Sequence, residues 1–259
     1  MAVKKAISSK PRWVKFRNDL MDKPRRNSEV MYKAIYLALW NKSSEFRALS
    51  AEDEKNQLCL MLCAYQLAKA KHRWQKRVGG ARYFDHLTGT TAILISEFPT
   101  LTFYQVIAAY LHDIIEDTQI SLATIENIFG KRVAAIVDAV TKKDDIYYLR
   151  PDEKTVFLSL DARAQKNYLA MKKQIIKARR TEHYFGHMED LDAETLQVKF
   201  ADRIHNLREL ITCPISKIKQ YIIETEQYLL PLAQERNVVA YTLMKAELEK
   251  LRDFIANKK

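Results

Sequence analysis

The segment from Tyr110 to Thr118, with the sequence YLHDIIEDT, concentrates side chains that can bind metal ions and move protons. On a helix, with about 100° per residue, its polar side chains fall within about 140° of one another: His112, Asp113, Glu116 and Asp117. The apolar residues between them occupy the opposite side. Carboxylates so close together repel one another and are rarely buried without a partner. A divalent cation resolves that repulsion, so the segment predicts a metal site.

The ligands within this segment do not complete such a site. Adjacent His112 and Asp113 supply one nitrogen and one oxygen, which suits Mn²⁺ or Fe²⁺ better than a structural zinc ion with its preference for thiolates. Further ligands must come from other segments, and the candidates are His86 in YFDHLTGT and Asp202 in VKFADRIHNLREL. Asp202 and Asn206 are four residues apart and share a helix face. One of that pair can bind metal while the other contacts a substrate.

The composition favours helices as the elements that position these residues. The chain has 259 residues, of which 47% are hydrophobic and 29% charged, as in a globular protein with a substantial core. Only 5 Gly and 6 Pro occur, too few for the turns of an all-β protein. Ser50 and Ser121 are natural helix N-caps, and the Gly79-Gly80 pair marks a turn. We therefore expect an all-α protein with one continuous helix over residues 103–117.

Charge and cysteine content limit the partners and the compartment. The 43 Lys and Arg residues exceed the 32 Asp and Glu residues and give a net charge of +11, which favours an anionic partner. Charge alone does not choose among nucleic acid, a nucleotide polyphosphate and an acidic surface, but the basic N-terminal arm has few interleaved aromatic residues, which makes nucleic acid an unfavoured partner. No run approaches 18 consecutive apolar residues, which predicts no membrane partner. Three cysteines without metal-site spacing indicate a reducing environment, and we expect a cytoplasmic protein.

The order His86, His112-Asp113, Asp202 resembles the H...HD...D pattern of the HD-domain metal-dependent phosphohydrolases. The segment QKRVGGARYFDH also resembles the Q-x-R-x-x-G-x-P-Y-x-x-H stretch of the RelA/SpoT alarmone hydrolases. That family's order then continues with HDIIEDT, IFGKRVAAIVDAVTK and VKFADRIHNLREL. The resemblance covers about residues 58–211 and implies an HD-domain helical bundle with additional N- and C-terminal helices. We expect a basic arm and helix over 1–50, the HD-type domain over 51–212 and a helical extension over 213–259.

The resemblance implies a function and a role for each matching residue. The activity is hydrolysis of the 3′-pyrophosphate of guanosine tetra- or pentaphosphate to GDP or GTP and pyrophosphate, with one Mn²⁺ per chain and no synthetase activity. The implied metal ligands are His86, His112, Asp113 and Asp202. Glu116 and Asp117 are implied to position and deprotonate the attacking water. The implied nucleotide contacts are Arg77, Tyr83 and Asn206, with Lys76 and Arg82 as neighbouring cations.

One departure from the family pattern leaves the substrate open. Val78 stands where the family has a lysine, which removes one cation from the expected nucleotide pocket, although Lys76 or Arg82 could replace it. One alternative is a phosphohydrolase acting on another phosphorylated nucleotide, such as a nucleoside triphosphate or a dinucleotide phosphate resembling NADPH. The other is a nucleotide-binding protein without activity. Intact Glu116 and Asp117 argue against it, because a pure binder has no need of them.

Two further histidines are assigned positions outside the ligand set. His72 lies between Lys71 and Arg73 in the sequence and is predicted at the surface. His205 follows Asp202 by three residues on the same predicted helix, so it is expected beside the metal site without binding the metal.

Overall fold

The computed structural model describes residues 26–258, and the first 25 residues of the basic arm and helix predicted over 1–50 lie outside that range. Within the described range the regular structure is helical, apart from one isolated bridge between Lys76 and Arg82. The first half of the chain forms α1 Arg26–Lys42, α2 Ser44–Arg47, α3 Ala51–Lys71, α4 Tyr83–Glu97, α5 Phe103–Leu111, α6 Ile114–Asp117, α7 Leu122–Phe129 and α8 Lys131–Val140. The second half forms α9 Pro151–Leu158, α10 Ala162–Gly186, α11 Ala193–Glu209, α12 Ile215–Glu224, α13 Leu230–Arg236 and α14 Val238–Ala256.

This architecture confirms the all-α prediction. Two short 3₁₀ turns cover His187–Asp190 and Leu210–Thr212, and one π-helical turn over Thr225–Leu229 joins α12 to α13. Within residues 26–258, no helix is both long enough and apolar enough to cross a membrane.

Local sequence signals set several helix starts. The hydroxyl oxygen of Ser50 accepts a hydrogen bond of 3.1 Å from the backbone N–H of Asp53, which caps α3 as expected. Ser121 caps α7 in the same way. Gly130 separates α7 from α8 with φ at 87°, a conformation that other residues rarely adopt.

Helix α11 lies at the centre of the bundle and packs against α4, α5, α8 and α14. Side chains of α11 such as Val198, Phe200 and Ile204 are completely buried. Helix α5 is equally enclosed, with every residue from Val106 to Leu111 shielded from solvent. Two candidate metal ligands therefore lie on helices that are packed into the core, because α4 carries His86 and α11 carries Asp202.

The predicted continuous helix over residues 103–117 is wrong at its centre. Helix α5 ends at Leu111, His112 and Asp113 form a turn, and α6 begins at Ile114. In an uninterrupted helix the carbonyl oxygen of Ala109 would accept from the backbone N–H of Asp113. Here that oxygen lies 2.8 Å from Nδ1 of His112, so the imidazole competes for the helical acceptor. The turn therefore aims the two side chains independently of the following acidic pair.

Helices α9 and α10 pack on each other around a small apolar cluster of their own, formed by Tyr148, Leu149, Phe157 and Ile176. Beside it, the Glu153 carboxylate accepts hydrogen bonds from Arg179 and Lys172. The Arg179 contact, helped by the backbone N–H of Arg150, lowers the pKa of Glu153 to about 2. This ion-pair group fixes α10 against α9.

Candidate metal centre and active site

Four side chains from three parts of the fold converge at one buried point. Nε2 of His86 on α4 lies 3.2 Å from Nε2 of His112 and 3.2 Å from Oδ1 of Asp202 on α11. Nε2 of His112 lies 3.2 Å from Oδ2 of Asp113. Both imidazoles are buried, with 1% and 3% of their surface exposed. The structure thus brings together all four residues that the sequence analysis assigned to a metal.

The arrangement of lone pairs in this cluster fits a divalent cation. Because Nδ1 of His112 lies 2.8 Å from the Ala109 carbonyl oxygen, Nδ1 carries the ring proton and Nε2 presents its lone pair to the cluster. Nε2 of His86 and two carboxylate oxygens face the same point. Ligand atoms bound at about 2.1 Å to one ion lie about 3.0–3.4 Å apart. Three of the observed separations, at 3.2 Å, fall in that range, and the other two, at 3.6 Å, exceed it slightly.

Hydrogen bonds from outside the cluster hold both carboxylates in place. Tyr83 donates from its hydroxyl to Oδ2 of Asp113 at 2.7 Å. The Asn206 amide donates to Oδ1 of Asp202 at 2.6 Å, and Lys199 donates to Oδ2 at 2.8 Å. Burial favours the neutral form of Asp202, but its charged surroundings, with the Lys199 ammonium first among them, outweigh burial and hold its pKa well below the usual range. The carboxylate is therefore ionised and oriented, as a metal ligand must be.

His205 lies beside the cluster, as expected. Its Nδ1 atom is 2.9 Å from Nδ1 of His86. Burial, followed by the nearby His86 and Arg77, lowers the pKa of His205 to about 3, so its ring is neutral. Close packing requires Gly89 on α4, since a Cβ atom there would lie 1.8 Å from Nε2 of His205. Together with Glu209, His86 and His205 form a second group of possible ligands, but Arg77 already pairs with Glu209 at 2.7 Å.

The four converging side chains His86, His112, Asp113 and Asp202 are called the metal cluster below. A cavity of about 290 Å³ opens onto this cluster. Its lining includes eight residues that the sequence analysis had assigned: Lys76, Arg77, Tyr83, His86, Asp113, Glu116, Asp202 and Asn206. Arg77 donates to Oδ1 of Asn206 at 2.5 Å, which places the guanidinium at the wall of the cavity. Val78 lines it as well, at the position where the family has a lysine.

Two cationic residues and one aromatic residue that line this cavity were not predicted from the sequence. They are Lys142, which follows α8, and Lys217 and Tyr221, which lie four residues apart on α12. The i,i+4 spacing of a basic and an aromatic residue on α12 was a signal that could have shown them on one helix face. Nothing in the local sequence indicates that this face turns towards the metal cluster.

Two assigned residues lie elsewhere. Arg82 pairs with Asp85 at 2.7 Å, its side chain is 69% exposed, and it is not among the residues that line the cavity. Asp117 does not line the cavity either, and its backbone carbonyl accepts a hydrogen bond of 2.9 Å from Gln75. Burial, followed by Asp113 and then by the Asp117 carboxylate, raises the pKa of the Tyr83 hydroxyl, which therefore remains a proton donor to its partners.

The predicted surface position of His72 is wrong. The residue is completely buried at the end of α3, where its ring stacks on that of Tyr83 with centroids 5.0 Å apart. Its Nδ1 atom lies 2.5 Å from Oε1 of Gln75. The charged neighbours Lys71 and Arg73 are exposed and conceal this inward position in the sequence. His72 thus supports the tyrosine that holds Asp113.

Glu116 lies at the edge of the cluster in a setting that suits proton transfer. The backbone N–H of Lys142 donates to Oε1 at 2.6 Å, and the Lys142 ammonium lies 3.8 Å from Oε2. Burial raises the pKa of Glu116, although Lys142 opposes this. A carboxylate with a raised pKa holds a transferred proton more readily at neutral pH than an exposed one.

Residues 64–238 match the sequence profile of the HD domain, which covers more than half of the chain. The chain belongs to the HD domain family. Among the relatives of this HD domain is the bifunctional (p)ppGpp synthase/hydrolase SpoT of Escherichia coli (strain K12), with 29% identity over 197 residues, 76% of this chain and 24% of that protein. A probable chloroplastic GTP diphosphokinase of Oryza sativa subsp. japonica is 30% identical over 185 residues, 71% of this chain and 23% of that protein.

These relatives confirm the resemblance to the RelA/SpoT proteins. The HD domain described here spans about a quarter of the length of the curated relatives it matches. Its fold is also that of a solved metazoan orthologue of SpoT, described as hydrolysing ppGpp. The TM-score is 0.56 at 21% identity, with 74% of this chain and 94% of that chain covered. The predicted domain limits at residues 50 and 212 stay a prediction.

Proposed function

We propose that this HD domain hydrolyses the 3′-pyrophosphate of guanosine tetra- or pentaphosphate and releases pyrophosphate and GDP or GTP. The observation that carries the proposal is the convergence of His86, His112, Asp113 and Asp202 beside a cavity lined by cations. The names of the relatives support this substrate. They include SpoT and a probable guanosine-3′,5′-bis(diphosphate) 3′-pyrophosphohydrolase of Synechocystis, which is 28% identical over 193 residues.

The ligands support one Mn²⁺ per chain as the metal. Two imidazole nitrogens and two carboxylate oxygens form a mixed donor set without thiolate, which suits this ion. When bound, such an ion polarises a phosphoryl oxygen and acidifies water. Tyr83, Asn206 and Lys199 are positioning residues, because their hydrogen bonds orient the ligand carboxylates.

Side chains of this HD domain account for the proton transfer and for substrate binding. Glu116 accepts the proton of the attacking water, while the Lys142 backbone N–H orients the carboxylate. The water oxygen bonds to the phosphorus attached to the 3′ oxygen, and the bond between this phosphorus and the 3′ oxygen breaks. The 3′ oxygen takes up a proton from solvent water as the nucleotide leaves. Lys76, Arg77 and Lys217 line the cavity and attract phosphate oxygens. We assign the base to Glu116 rather than Asp117, because only Glu116 lines the cavity.

A substrate panel tests the proposal. We expect the Mn²⁺-loaded protein to turn over guanosine tetraphosphate with a higher kcat/KM than GTP or NADPH. The His86→Ala variant removes one proposed ligand and should abolish this turnover. Preferential turnover of GTP or NADPH would favour a different nucleotide substrate. Absence of turnover with every member of the panel, despite tight nucleotide binding, would favour a binding protein.

A further inference from the structure

A second cavity, of about 200 Å³, adjoins the first. The two cavities share Lys142, Asp202, Asn206 and Tyr221 in their walls. The two oxygens of Asp202 mark the junction between them. Oδ1 faces His86 and the metal cluster at 3.2 Å, while Oδ2 accepts from Lys199, which lines only the second cavity, at 2.8 Å. The second cavity therefore begins at the metal cluster itself.

This second cavity is smaller and more cationic than the first. Two acidic residues, Asp202 and Glu224, oppose the five cations in its wall, which are Lys142, Lys177, Arg180, Lys199 and Arg203. In the first cavity three acidic residues oppose four cations. Since fixed positive groups attract and hold polyanions, the second cavity is the better site for the most highly charged part of a substrate.

Two of these cations come from α10, outside the segments that resemble known motifs. Lys177 and Arg180 are three residues apart and share one face of the helix. Lys177 makes no ion pair with any side chain that the structure describes, so its ammonium is available. Arg180 pairs with Asp145, but its Nε–H group is buried without a hydrogen-bond partner. An anion in the cavity would supply partners for both.

We propose that the second cavity binds the pyrophosphate end of the substrate, and pyrophosphate itself after cleavage, with Lys177 and Arg180 as specific contacts. The assignment of pyrophosphate as the leaving product rests on the proposed function. Because the broken bond lies at the junction, the two products separate into different cavities. The nucleoside fits the first, where Tyr83 and Val78 offer an aromatic ring and an apolar side chain. Pyrophosphate, which retains its own oxygens and gains that of water, fits the second.

Binding of inorganic pyrophosphate to the metal-free protein tests the proposal without catalysis. Isothermal titration calorimetry should show binding to the wild type. The double variant Lys177→Ala/Arg180→Ala should bind at least about tenfold more weakly, because charge-assisted hydrogen bonds are lost. Lys166→Ala is the matched control. It removes one positive charge from α10, as the single Lys177→Ala change does, but three turns away, at an exposed position without a side-chain hydrogen bond or ion pair in the described chain.

The single variant Lys177→Ala keeps the test valid if the double variant does not fold. Lys177 is exposed and unpaired, so Lys177→Ala should leave the melting temperature unchanged and still weaken pyrophosphate binding at least about threefold. Equal pyrophosphate affinity of wild type, Lys177→Ala and the double variant would overturn the proposal. Absence of pyrophosphate binding to the wild type would overturn it as well.

Product inhibition separates this proposal from the proposed function. During hydrolysis of guanosine tetraphosphate, Lys177→Ala should raise the inhibition constant of pyrophosphate and leave that of GDP unchanged. If Lys177→Ala hydrolyses the substrate and its inhibition constant for pyrophosphate is unchanged, only the assignment of the second cavity is contradicted. Pyrophosphate binding that depends on Lys177, in a protein that hydrolyses no 3′-pyrophosphate, would leave the anion site standing and remove the proposed function.

Discussion

The Tyr83 hydroxyl donates a hydrogen bond of 2.7 Å to Oδ2 of Asp113, and so one nucleotide-cavity residue also orients one proposed metal ligand. The ring of His72 stacks on the ring of Tyr83 and thereby fixes the orientation of the tyrosine. The substrate cavity and the metal cluster are therefore coupled through a single side chain. Changes to Tyr83 are expected to affect metal affinity as well as nucleotide binding.

Replacing Tyr83 by Phe removes this hydrogen bond and preserves the ring. We expect Mn²⁺ affinity to fall by about 10-fold or more, the usual effect of losing a hydrogen bond to a metal ligand. Titration calorimetry with Mn²⁺ measures the effect. Tyr241→Phe, on α14 and outside the cavity lining, is the control and should bind Mn²⁺ like the wild type. Equal Mn²⁺ affinity of Tyr83→Phe and the wild type would show that the contact does not orient the ligand.

Glu116→Gln tests the assignment of the base. Turnover should fall at least about a hundredfold, because the amide cannot accept the proton of water. Metal content should survive, since Glu116 is not a proposed ligand, whereas Asp113→Asn should lose the metal. Elemental analysis and turnover together check both expectations, with the exposed Glu126→Gln on α7 as control. If Glu116→Gln lost the metal as fully as Asp113→Asn, Glu116 would be a ligand instead.

Two helical glycines should respond in opposite ways to the same substitution. Gly89→Ala places a methyl group against His205, and such overpacking costs about 1–3 kcal/mol of stability. Gly186→Ala, where nothing lies within 4 Å of the added Cβ, should be neutral or stabilise by up to about 1 kcal/mol. Denaturant unfolding measures both. A Gly89→Ala protein as stable as wild type would show that His205 does not pack closely on α4.

The ion-pair group around Glu153 predicts a dependence of stability on pH. The pKa of Glu153 is lowered to about 2 in the folded protein, so the ionised form stabilises the fold above the ordinary carboxyl pKa. This contribution is lost as the pH falls towards 2. The difference in unfolding free energy between wild type and Glu153→Gln should therefore shrink between pH 6 and pH 3. A difference that stays constant across this range would contradict the role of the Arg179 contact.

The ligand residues could be predicted from the sequence because each lies in a segment with recognisable spacing. His86, His112, Asp113 and Asp202 converge as expected, and Ser50 and Ser121 cap helices as their types suggest. Side-chain chemistry at short range explains the helix caps, and the resemblance to the family pattern supplied the set of ligands.

One local side-chain contact and tertiary packing explain what the sequence could not show. The break after Leu111 depends on the His112 imidazole, which hydrogen-bonds to the Ala109 carbonyl oxygen. Helix propensity does not include such a contact. His72 is buried although both neighbours in the sequence are charged. Lys217 lines the cavity because α12 lies beside α11, where the Arg203 guanidinium is 4.8 Å from the centre of the Tyr221 ring. In each case the decisive partner is remote in sequence or specific to one side-chain geometry.

Phosphorus NMR of the products is the most direct test of the central claim, that the cluster of His86, His112, Asp113 and Asp202 hydrolyses a 3′-pyrophosphate. The Mn²⁺-loaded protein should convert guanosine tetraphosphate into GDP and inorganic pyrophosphate in equal amounts. The Asp202→Asn variant should produce neither. Release of orthophosphate in place of pyrophosphate, or undiminished pyrophosphate release by Asp202→Asn, would contradict the account.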